Sequence, residues 1–232
     1  MILAAGRGER MRPLTDTCPK PLLEVGGKPL IVWHIERLAQ AGFVDLVINH
    51  AHLGTMIEEY LGDGSRFGVN LRYSPEVEAL ETAGGIANAL PLLGEAPFLV
   101  VNGDIFCDVD FSTLALQAGE SAFLVLVDNP PQHPGGDFAL LDGKVLAEGE
   151  RKLTFSGIGL YRPELFSAIS RGSKARLAPL LREEMAAGKV GGSYFGGRWE
   201  DVGTPERLSA LDRELLEIKA PSMSCSGKWH SD

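Results

Sequence analysis

The first half of the chain alternates short apolar segments with amphipathic ones, and no other feature restricts its fold as strongly. Residues 1–5 are nearly all apolar and stop at a glycine, which is typical of a buried parallel strand. Residues 30–41 carry apolar side chains at helical spacing and stop before Gly42. Strands that alternate with helices in this way predict a parallel sheet with helices on both faces. Further strands are predicted at 44–48, 69–73 and 98–101, and further helices at 53–61 and 84–90.

After about residue 122 the pattern changes to mixed strands and helices. A turn at 142–144 between two short apolar runs predicts a hairpin, and residues 190–195 and 198–200 are interpreted as a second hairpin. We therefore predict an α/β fold with a Rossmann-like, open, mostly parallel but mixed sheet flanked by helices, and a small mixed β/α lobe. The other predicted elements are strands at 123–127 and 154–161 and helices at 163–169, 177–187 and 205–218.

The composition argues against several classes of protein. A formal net charge of −9 over 232 residues disfavours a chain that wraps nucleic acid. No apolar run approaches the roughly 18 residues of a membrane span, and the apolar opening is too short for a signal peptide. Three widely spaced cysteines without a CxxC pair are typical of a reduced protein. We expect a soluble, cytoplasmic protein with one domain at 1–220 and a disordered or cloning-derived tail at 221–232.

A loop rich in glycine and arginine follows the first predicted strand. Gly6 and Gly8 let backbone N–H groups approach a polyphosphate closely. Arg10, Arg12 and Lys20 add positive charge to the same stretch of an acidic chain. The loop lacks the third glycine of a dinucleotide-binding fingerprint and the spacing of a Walker A loop. It therefore predicts a phosphate-binding site of another kind.

A second polar turn, Asn102-Gly103-Asp104, follows the strand predicted at 98–101. Ligands of open α/β sheets bind beyond the carboxyl ends of the parallel strands. We therefore expect this turn to lie beside the glycine-rich loop. The histidines of the segment 49–52 (NHAH) lack a third ligand at a familiar spacing, so they are interpreted as polar residues at a strand end.

Several motifs resemble the signature of sugar-1-phosphate nucleotidyltransferases. They are residues 3–15 (LAAGxGxRMxPLT), 19–22 (PKPL), 102–104 (NGD) and 199–204 (WxDxGT). The resemblance extends over nearly the whole chain. It implies a fold similar to glycosyltransferase type A, with a nucleotide-binding half at about 1–120 and a sugar-binding half at about 121–220. The implied reaction joins a nucleoside triphosphate to a sugar 1-phosphate and releases pyrophosphate, with Mg²⁺ as cofactor.

The resemblance also implies roles for individual residues. Arg12 would contact the departing pyrophosphate, and Lys20 would lie between the α-phosphate and the sugar phosphate. Asp104 and Asp201 would bind Mg²⁺, although the neighbouring Glu200 is an alternative to Asp201. An in-line attack by an ionised phosphate needs alignment and charge neutralisation rather than a protein nucleophile or base. The catalytic candidates are therefore Arg12, Lys20 and Asp104.

The resemblance assigns two further groups of residues. The segment around Gly84 and Gly85 would pack its backbone against the nucleobase. Apart from the resemblance, the same residues are interpreted as an ordinary helix start capped by Glu81 or Thr82, and both interpretations can hold together. Many relatives carry a Glu-Lys-Pro motif whose lysine holds the sugar phosphate, but residues 147–152 (AEGERK) lack it. Lys20 alone, Arg151 or Lys152 would supply that charge. The nucleotide-binding candidates are Leu3, Ala5, Gly6, Gly8, Glu9, Arg10, Glu76, Glu81, Gly84, Gly85 and Asn102, and the sugar-binding candidates are Asp137, Glu148, Ser156 and Gly157.

Among compact members of the family, the chain is most similar to uridylyltransferases that act on N-acetylmuramic acid 1-phosphate in cell-wall recycling. The segments that carry this similarity are 48–51, 61–68, 73–76 and 127–130. UTP is then the implied nucleotide. The alternatives are a mannose-1-phosphate guanylyltransferase and a glucose-1-phosphate thymidylyl- or uridylyltransferase. From a different class, a non-catalytic sugar-nucleotide sensor stays open, as does the choice between monomer and homodimer.

Overall fold

The structure, a computed structural model, describes residues 1–219. The strands are β1 (Ile2–Leu3), β2 (Glu24–Val25), β3 (Lys28–Pro29), β4 (Asp45–His50), β5 (Asn70–Pro75), β6 (Phe98–Asn102), β7 (Ile105–Cys107), β8 (Ala122–Val127), β9 (Phe138–Leu141), β10 (Lys144–Leu146), β11 (Lys152–Tyr161), β12 (Val190–Tyr194) and β13 (Trp199–Asp201). The helices are α1 (Leu30–Gln40), α2 (Gly54–Leu61), α3 (Glu81–Leu93), α4 (Leu177–Ala186) and α5 (Pro205–Lys219). The tail predicted at 221–232 lies outside the described residues.

Nine of these strands form one mixed sheet, in the order β5-β4-β1-β6-β11-β8-β12-β10-β9. The first four neighbours in this order are parallel to one another. Strand β11 joins β6 in the antiparallel direction and continues the sheet into the second half of the chain. The predicted fold class, an open and mixed sheet flanked by helices, is confirmed. Both predicted halves contribute strands to the same sheet.

The sheet is buried because its central strands present apolar side chains to both faces. Ile2 lies between Ile48 and Val101 in register, and all three side chains are fully buried. One apolar cluster packs α1 and α2 against the sheet, and a second packs α3 and α4. Successive strand residues point to opposite faces, and Val100 and Val101 belong to different clusters. Helices therefore cover both faces, as the alternating pattern predicts.

Some predicted elements are wrong in detail. The second hairpin does not exist, because β12 pairs in parallel with β8 while β13 pairs antiparallel with β7 in a separate two-stranded sheet. Apolar alternation marks a strand but does not identify its partner. Helix α3 begins at Glu81 rather than at 84, and Leu80 precedes it without a side-chain cap, so the capping roles of Glu81 and Thr82 are wrong.

Two further observations concern the helices. The segment predicted as a helix at 163–169 forms only a short 3-10 turn at Pro163–Phe166. No helix within residues 1–219 combines the length and the apolar character that a bilayer-spanning segment needs.

The hairpin predicted around 142–144 is confirmed, since β9 and β10 pair with Leu141 opposite Lys144.

Candidate active site

A cavity of about 550 Å³ opens at the carboxyl ends of β1, β4, β5 and β6. This is the edge at which open α/β sheets bind ligands. The sequence-predicted residues that line it are Leu3, Ala5, Gly6, Gly8, Glu9, Arg10, Lys20, Glu76, Glu81, Asn102 and Asp104. Eleven predicted residues from five separate stretches of the chain thus surround one space. The glycine-rich loop and the Asn102–Asp104 turn lie side by side there, as expected.

The register of the parallel strands brings two asparagines to the cavity. Leu3 ends β1 and lies opposite Asn49 on one side and Asn102 on the other. The backbone N–H of Ala4 donates to Asn49 Oδ1 at 3.0 Å, where the chain leaves the sheet. One residue earlier in each strand, Ile2 and its partners in register are all apolar. At the cavity the corresponding row contains the two asparagines. The change from core to site takes place within a single residue step.

Glu76 is a buried carboxylate that ties three segments of the cavity wall together. Its Oε1 accepts a hydrogen bond from Asn49 Nδ2 at 2.7 Å, and its Oε2 accepts one from the Leu80 N–H at 2.9 Å. Glu76 forms no ion pair within residues 1–219, so neutral donors alone satisfy its oxygens. A buried and fully bonded network of this kind holds its members in one arrangement. It fixes the wall formed by the ends of β4 and β5 and the start of α3.

The glycine-rich loop folds over Lys20. Gly8 has a φ of +67°, a left-handed conformation that favours glycine, and a Cβ there would lie 3.2 Å from Lys20 Cβ. Thr15 Oγ1 donates to the Gly8 carbonyl at 2.8 Å and closes the loop. Lys20 is almost completely buried, and its Nζ donates to Asp104 Oδ2 at 2.8 Å. The loop therefore places an ammonium group at the floor of the cavity, paired with one carboxylate.

Arg10 and Arg12 have different surroundings, although both belong to the loop. Arg10 lines the cavity and has no ion pair within the described residues. Arg12 is not among the lining residues, and its Nε donates to Asp16 Oδ1 at 2.6 Å on the surface. Hydrogen bonding to the Asp16 carboxylate raises the pKa of Arg12 further above its ordinary value. The structure thus leaves the guanidinium of Arg10, rather than that of Arg12, available to a ligand.

The two predicted metal ligands come together although 97 positions separate them in the sequence. Strand β7 follows Asp104, and it pairs with β13 so that Ile105 lies opposite Asp201. The Val202 N–H donates to the Asp104 carbonyl at 2.9 Å, which holds the ends of the two strands together. Asp201 itself is not among the cavity-lining residues, although Gly203, two residues later, is. Glu200, the alternative ligand, pairs instead with Arg198 at 2.8 Å.

The donor set fits Mg²⁺ rather than a metal that needs an all-protein cage. Within residues 1–219 no three or more His, Cys, Asp or Glu side chains cluster as a metal site. Mg²⁺ typically takes one or two carboxylates and completes its octahedron with phosphate and water oxygens. The carboxylates of Asp104 and Asp201 supply that number. Their Oδ2 atoms are each bonded to a cation, Lys20 and Arg207 respectively.

Gly84 and Gly85 lie within α3, and neither is among the lining residues. A Cβ on Gly84 would collide with the Ser173 carbonyl oxygen, and the Gly84 N–H donates to the Ala175 carbonyl at 3.1 Å. A Cβ on Gly85 would lie 2.8 Å from both Asn49 Nδ2 and Glu76 Oε1. The structure therefore gives both glycines protein neighbours that require the absence of a side chain.

The four predicted sugar-binding residues are likewise absent from the cavity lining. Ser156 is buried, and its Oγ donates to the Val125 carbonyl and accepts from the Ile158 N–H. Asp137 accepts from the Phe155 N–H at 2.8 Å and contacts His133. Both side chains use their hydrogen-bonding capacity within the protein. Gly157 packs against Asn102, which lines the cavity, since a Cβ on Gly157 would lie 2.5 Å from Asn102 Nδ2.

The charged residues that replace the missing Glu-Lys-Pro motif form ion pairs on the second half of the chain. Lys152 Nζ lies 2.7 Å from Glu148, the fourth predicted sugar-binding residue, whose side chain is exposed. Hydrogen bonding to Lys152 lowers the pKa of that carboxyl below its ordinary value. Arg151 pairs with Asp128 at 3.1 Å and is largely exposed. Both cations are thus partnered by carboxylates, and neither is among the cavity-lining residues.

Sequence reasoning missed three residues of the site. Asn49 was given no role of its own, although its position at the end of a predicted strand was the signal for the cavity. Lys174 lines the cavity and pairs with Glu78 at 2.5 Å. It comes from a loop of the second half, so no local pattern identifies it. Arg207 binds Asp201 from the first turn of α5 and carries no motif of its own.

Comparison with known proteins gives consistent results. The nucleotidyl transferase family matches residues 1–142. An N-acetylmuramate alpha-1-phosphate uridylyltransferase from Neisseria meningitidis serogroup B is 62% identical over 218 residues, which are 90% of this chain and 94% of that protein. An enzyme of the same name from Caulobacter vibrioides is 35% identical and covers 94% of this chain and 96% of its own length.

Among solved structures, similarity extends over almost the whole fold. A Bacillus anthracis protein assigned as a glucose-1-phosphate thymidylyltransferase and crystallised with sucrose superposes with a TM-score of 0.80. The two chains are 23% identical, and 94% of each is covered. At this level of identity the likeness concerns the fold alone.

Proposed function

Since the chain belongs to the nucleotidyl transferase family, we propose that it transfers a uridylyl group from UTP to N-acetylmuramic acid 1-phosphate. The products are UDP-N-acetylmuramate and pyrophosphate. The observation that carries the reaction type is the ion pair of Lys20 and Asp104 in the wall of one cavity, beside a glycine-rich loop, with Asp201 brought next to Asp104 by the pairing of β13 with β7. The choice of uridine and muramic sugar is supported by the 62% identity to an enzyme of that name.

The chemistry requires little from the protein beyond placement and charge. The oxygen of a sugar phosphate is already ionised at neutral pH, so it attacks the α-phosphorus without a general base. Its lone pair forms the new P–O bond while the bond to the β-phosphate oxygen breaks and pyrophosphate leaves. In such a transfer the rate comes from alignment and from neutralising the charge on the leaving group. A buried ammonium and an unpaired guanidinium meet that requirement.

We assign the cationic roles from the surroundings of each side chain. Arg10 binds the β- and γ-phosphates, because it lines the cavity and has no acidic partner within residues 1–219. We therefore assign the contact with the departing pyrophosphate to Arg10 instead of Arg12, because the Arg12 guanidinium forms an ion pair with Asp16 on the surface. Lys20 contacts the α-phosphate and the incoming phosphate from the cavity floor. The backbone N–H groups from Gly6 to Gly8 complete the phosphate cradle.

Mg²⁺ is the proposed cofactor. Asp104 and Asp201 would hold it, and when bound it would neutralise phosphate charge and favour departure of pyrophosphate. We also propose a cytoplasmic location, which is supported by the free thiols of Cys18 and Cys107. The first half of the chain, about 1–120, is the proposed nucleotide-binding half because it supplies most of the cavity wall.

The sugar is proposed to lie next to Asn102 and Gly157, where the second half of the chain meets the cavity. Ser156 precedes Gly157 in the same strand. Its main chain is held in place by the Trp199 indole N–H, which donates to the Ser156 carbonyl at 2.9 Å. Asp137 and Glu148 stay candidates of lower rank, since their carboxylates are bonded to protein groups in the structure.

Pyrophosphate release tests the assignment directly. Four nucleoside triphosphates would be combined with N-acetylmuramate, glucose and mannose 1-phosphates, each with Mg²⁺ and with EDTA. We expect the highest kcat/KM for UTP with the muramic sugar and no turnover in EDTA. Turnover with GTP and mannose 1-phosphate instead would favour the guanylyltransferase. Tight binding of a nucleotide sugar without any turnover would favour a sensor.

A further inference from the structure

Arg207 fixes the carboxylate of Asp201 from outside the cavity. Its Nη1 donates to Asp201 Oδ2 at 2.7 Å and to the Asp201 carbonyl oxygen at 2.8 Å. The two side chains are 29% and 24% exposed. Because one nitrogen bonds both the side chain and the main chain of the same residue, the carboxylate is held relative to β13. Only Oδ2 is used, and Oδ1 accepts no hydrogen bond within residues 1–219.

The free oxygen Oδ1 shares a small space with a second arginine. A Cβ on Gly203 would lie 3.0 Å from Asp201 Oδ1 and 3.2 Å from Nη2 of both Arg10 and Arg207. Gly203 and Arg10 line the cavity, so Oδ1 lies beside two residues of its wall, although Asp201 itself is not among the lining residues. Nevertheless no ion pair joins Asp201 to Arg10 in the described part of the chain. Arg207 occupies the carboxylate that Arg10 would otherwise attract.

Removal of Arg207 would change both neighbours at once. An aspartate side chain has one freely rotating bond to the backbone and a broad second torsion, so Asp201 would turn toward the unpartnered guanidinium of Arg10. Opposite charges at a partly buried position attract strongly, and an arginine–carboxylate pair is a strong hydrogen-bonded unit. That pair would withdraw one carboxylate from Mg²⁺ and one guanidinium from the β- and γ-phosphates.

We propose that Arg207 is a positioning residue that keeps Asp201 Oδ1 available to the divalent cation and keeps Asp201 apart from Arg10. The inference rests on the proposed function, because it takes Asp201 as a metal ligand. Arg207 differs in this respect from Lys20, which lines the cavity and bonds Asp104 through a single flexible ammonium. Lys20 is placed to contact substrate, whereas Arg207 acts through Asp201. Outer partners of this kind commonly change metal affinity by roughly 10- to 100-fold when they are replaced.

Binding of Mn²⁺, measured by the electron paramagnetic resonance signal of the free ion, tests the proposal without turnover. The samples contain UTP but no sugar phosphate, so no reaction takes place, and the Mn²⁺ that UTP binds in solution is subtracted with a protein-free sample at the same UTP concentration. We expect Arg207→Gln to weaken Mn²⁺ binding by about 10-fold or more. Arg213→Gln is the matched control, because Arg213 lies on the same helix and is exposed. Far-ultraviolet circular dichroism should be the same for both variants, whereas UTP binding in EDTA should weaken for Arg207→Gln alone, because Arg10 is then paired with Asp201.

A double-mutant cycle tests the separation from Arg10. If Arg207 keeps the two groups apart, then Arg207→Gln weakens Mn²⁺ binding less in an Arg10→Gln background than in the wild type. An equal loss in both backgrounds would overturn that part of the proposal. Should Arg207→Gln fail to fold, Arg207→Lys is measured instead. We expect a smaller loss for this variant, because the lysine ammonium still donates to the Asp201 acceptors that Arg207 Nη1 bonds.

The Asp201→Asn variant distinguishes this inference from the proposed function. If Asp201→Asn leaves Mn²⁺ binding unchanged, the assignment of Asp201 as a ligand fails, and the proposal for Arg207 fails with it. If Asp201→Asn weakens binding but Arg207→Gln stays within twofold of the wild type, only the inference about Arg207 is refuted. Loss in both variants, with Arg213→Gln at the wild-type value, supports it.

Discussion

His34 is a buried histidine whose environment favours the neutral ring. Its Nε2 lies 2.8 Å from the carbonyl oxygen of Ile105, so the N–H at Nε2 donates, and Nδ1 has no partner within the described residues. Protonation would bury a charge and an unpaired N–H at Nδ1. Burial accordingly lowers the pKa of His34 from 6.5 to about 4. Ile105 adjoins Asp104, so this ring also supports the strand that carries a proposed metal ligand.

The shift in the pKa of His34 predicts a defined loss of stability in mild acid. Below pH 6.5 the unfolded chain takes up a proton that the folded chain refuses until about pH 4, so the free energy of unfolding falls as the pH falls through this window. Between pH 7 and pH 5 the loss from this one group amounts to about 2 kcal/mol. A glutamine amide reaches the Ile105 carbonyl but does not titrate, so His34→Gln lacks this component.

Urea unfolding at pH 7, 6 and 5 measures the effect. We expect the wild type to lose about 2 kcal/mol more than His34→Gln between pH 7 and pH 5, whatever the difference between the two proteins at pH 7. Equal slopes with denaturant concentration would serve as the control that both unfold in the same manner. Parallel stability profiles, within about 0.5 kcal/mol over the three pH values, would refute the reasoning.

Two further predictions concern the cavity. Arg10→Gln should lower kcat/KM by about 100-fold or more, because it removes a cation from the leaving group, whereas Arg12→Gln should stay within about threefold because its partner is Asp16 on the surface. Steady-state pyrophosphate release measures both, and a larger loss for Arg12→Gln would reverse the assignment. Gly85→Ala should lower the free energy of unfolding by about 1–3 kcal/mol and weaken UTP binding, since the added methyl group would separate Glu76 from the Asn49 amide. Urea unfolding and UTP titration measure the two effects, and wild-type values in both would contradict this prediction.

The parallel half of the fold and most of the cavity wall were predictable from the sequence. Apolar strands that end in a glycine or an asparagine reveal both the core and its polar edge, because the same step in register that buries Ile2 brings Asn102 into the site. Lys20 and Asp104 belong to motifs of fixed spacing, which identified both residues, although their ion pair is seen only in the structure. Local patterns suffice where neighbours in the sequence are also neighbours in the sheet.

The second half of the chain was harder to predict, because its contacts are set by partners that are distant in sequence. Strand β13 was assigned to a hairpin, but its partner is β7, some 90 positions earlier, and this pairing is what brings Asp201 to Asp104. Lys174 reaches the cavity on a loop whose backbone bonds to the start of α3. Ser156 was assigned to the sugar by resemblance, whereas its hydroxyl bonds to the Val125 carbonyl within the sheet. Spacing alone does not distinguish these cases.

The substrate assignment is tested most directly by an internal competition. Equal concentrations of N-acetylmuramate 1-phosphate, N-acetylglucosamine 1-phosphate and mannose 1-phosphate are supplied with limiting UTP and Mg²⁺, and the products are counted by mass spectrometry. The initial product ratio equals the ratio of kcat/KM values. The proposed function predicts that UDP-N-acetylmuramate forms in at least tenfold excess over each other product, with one pyrophosphate released per molecule. A predominance of either other nucleotide sugar would contradict it.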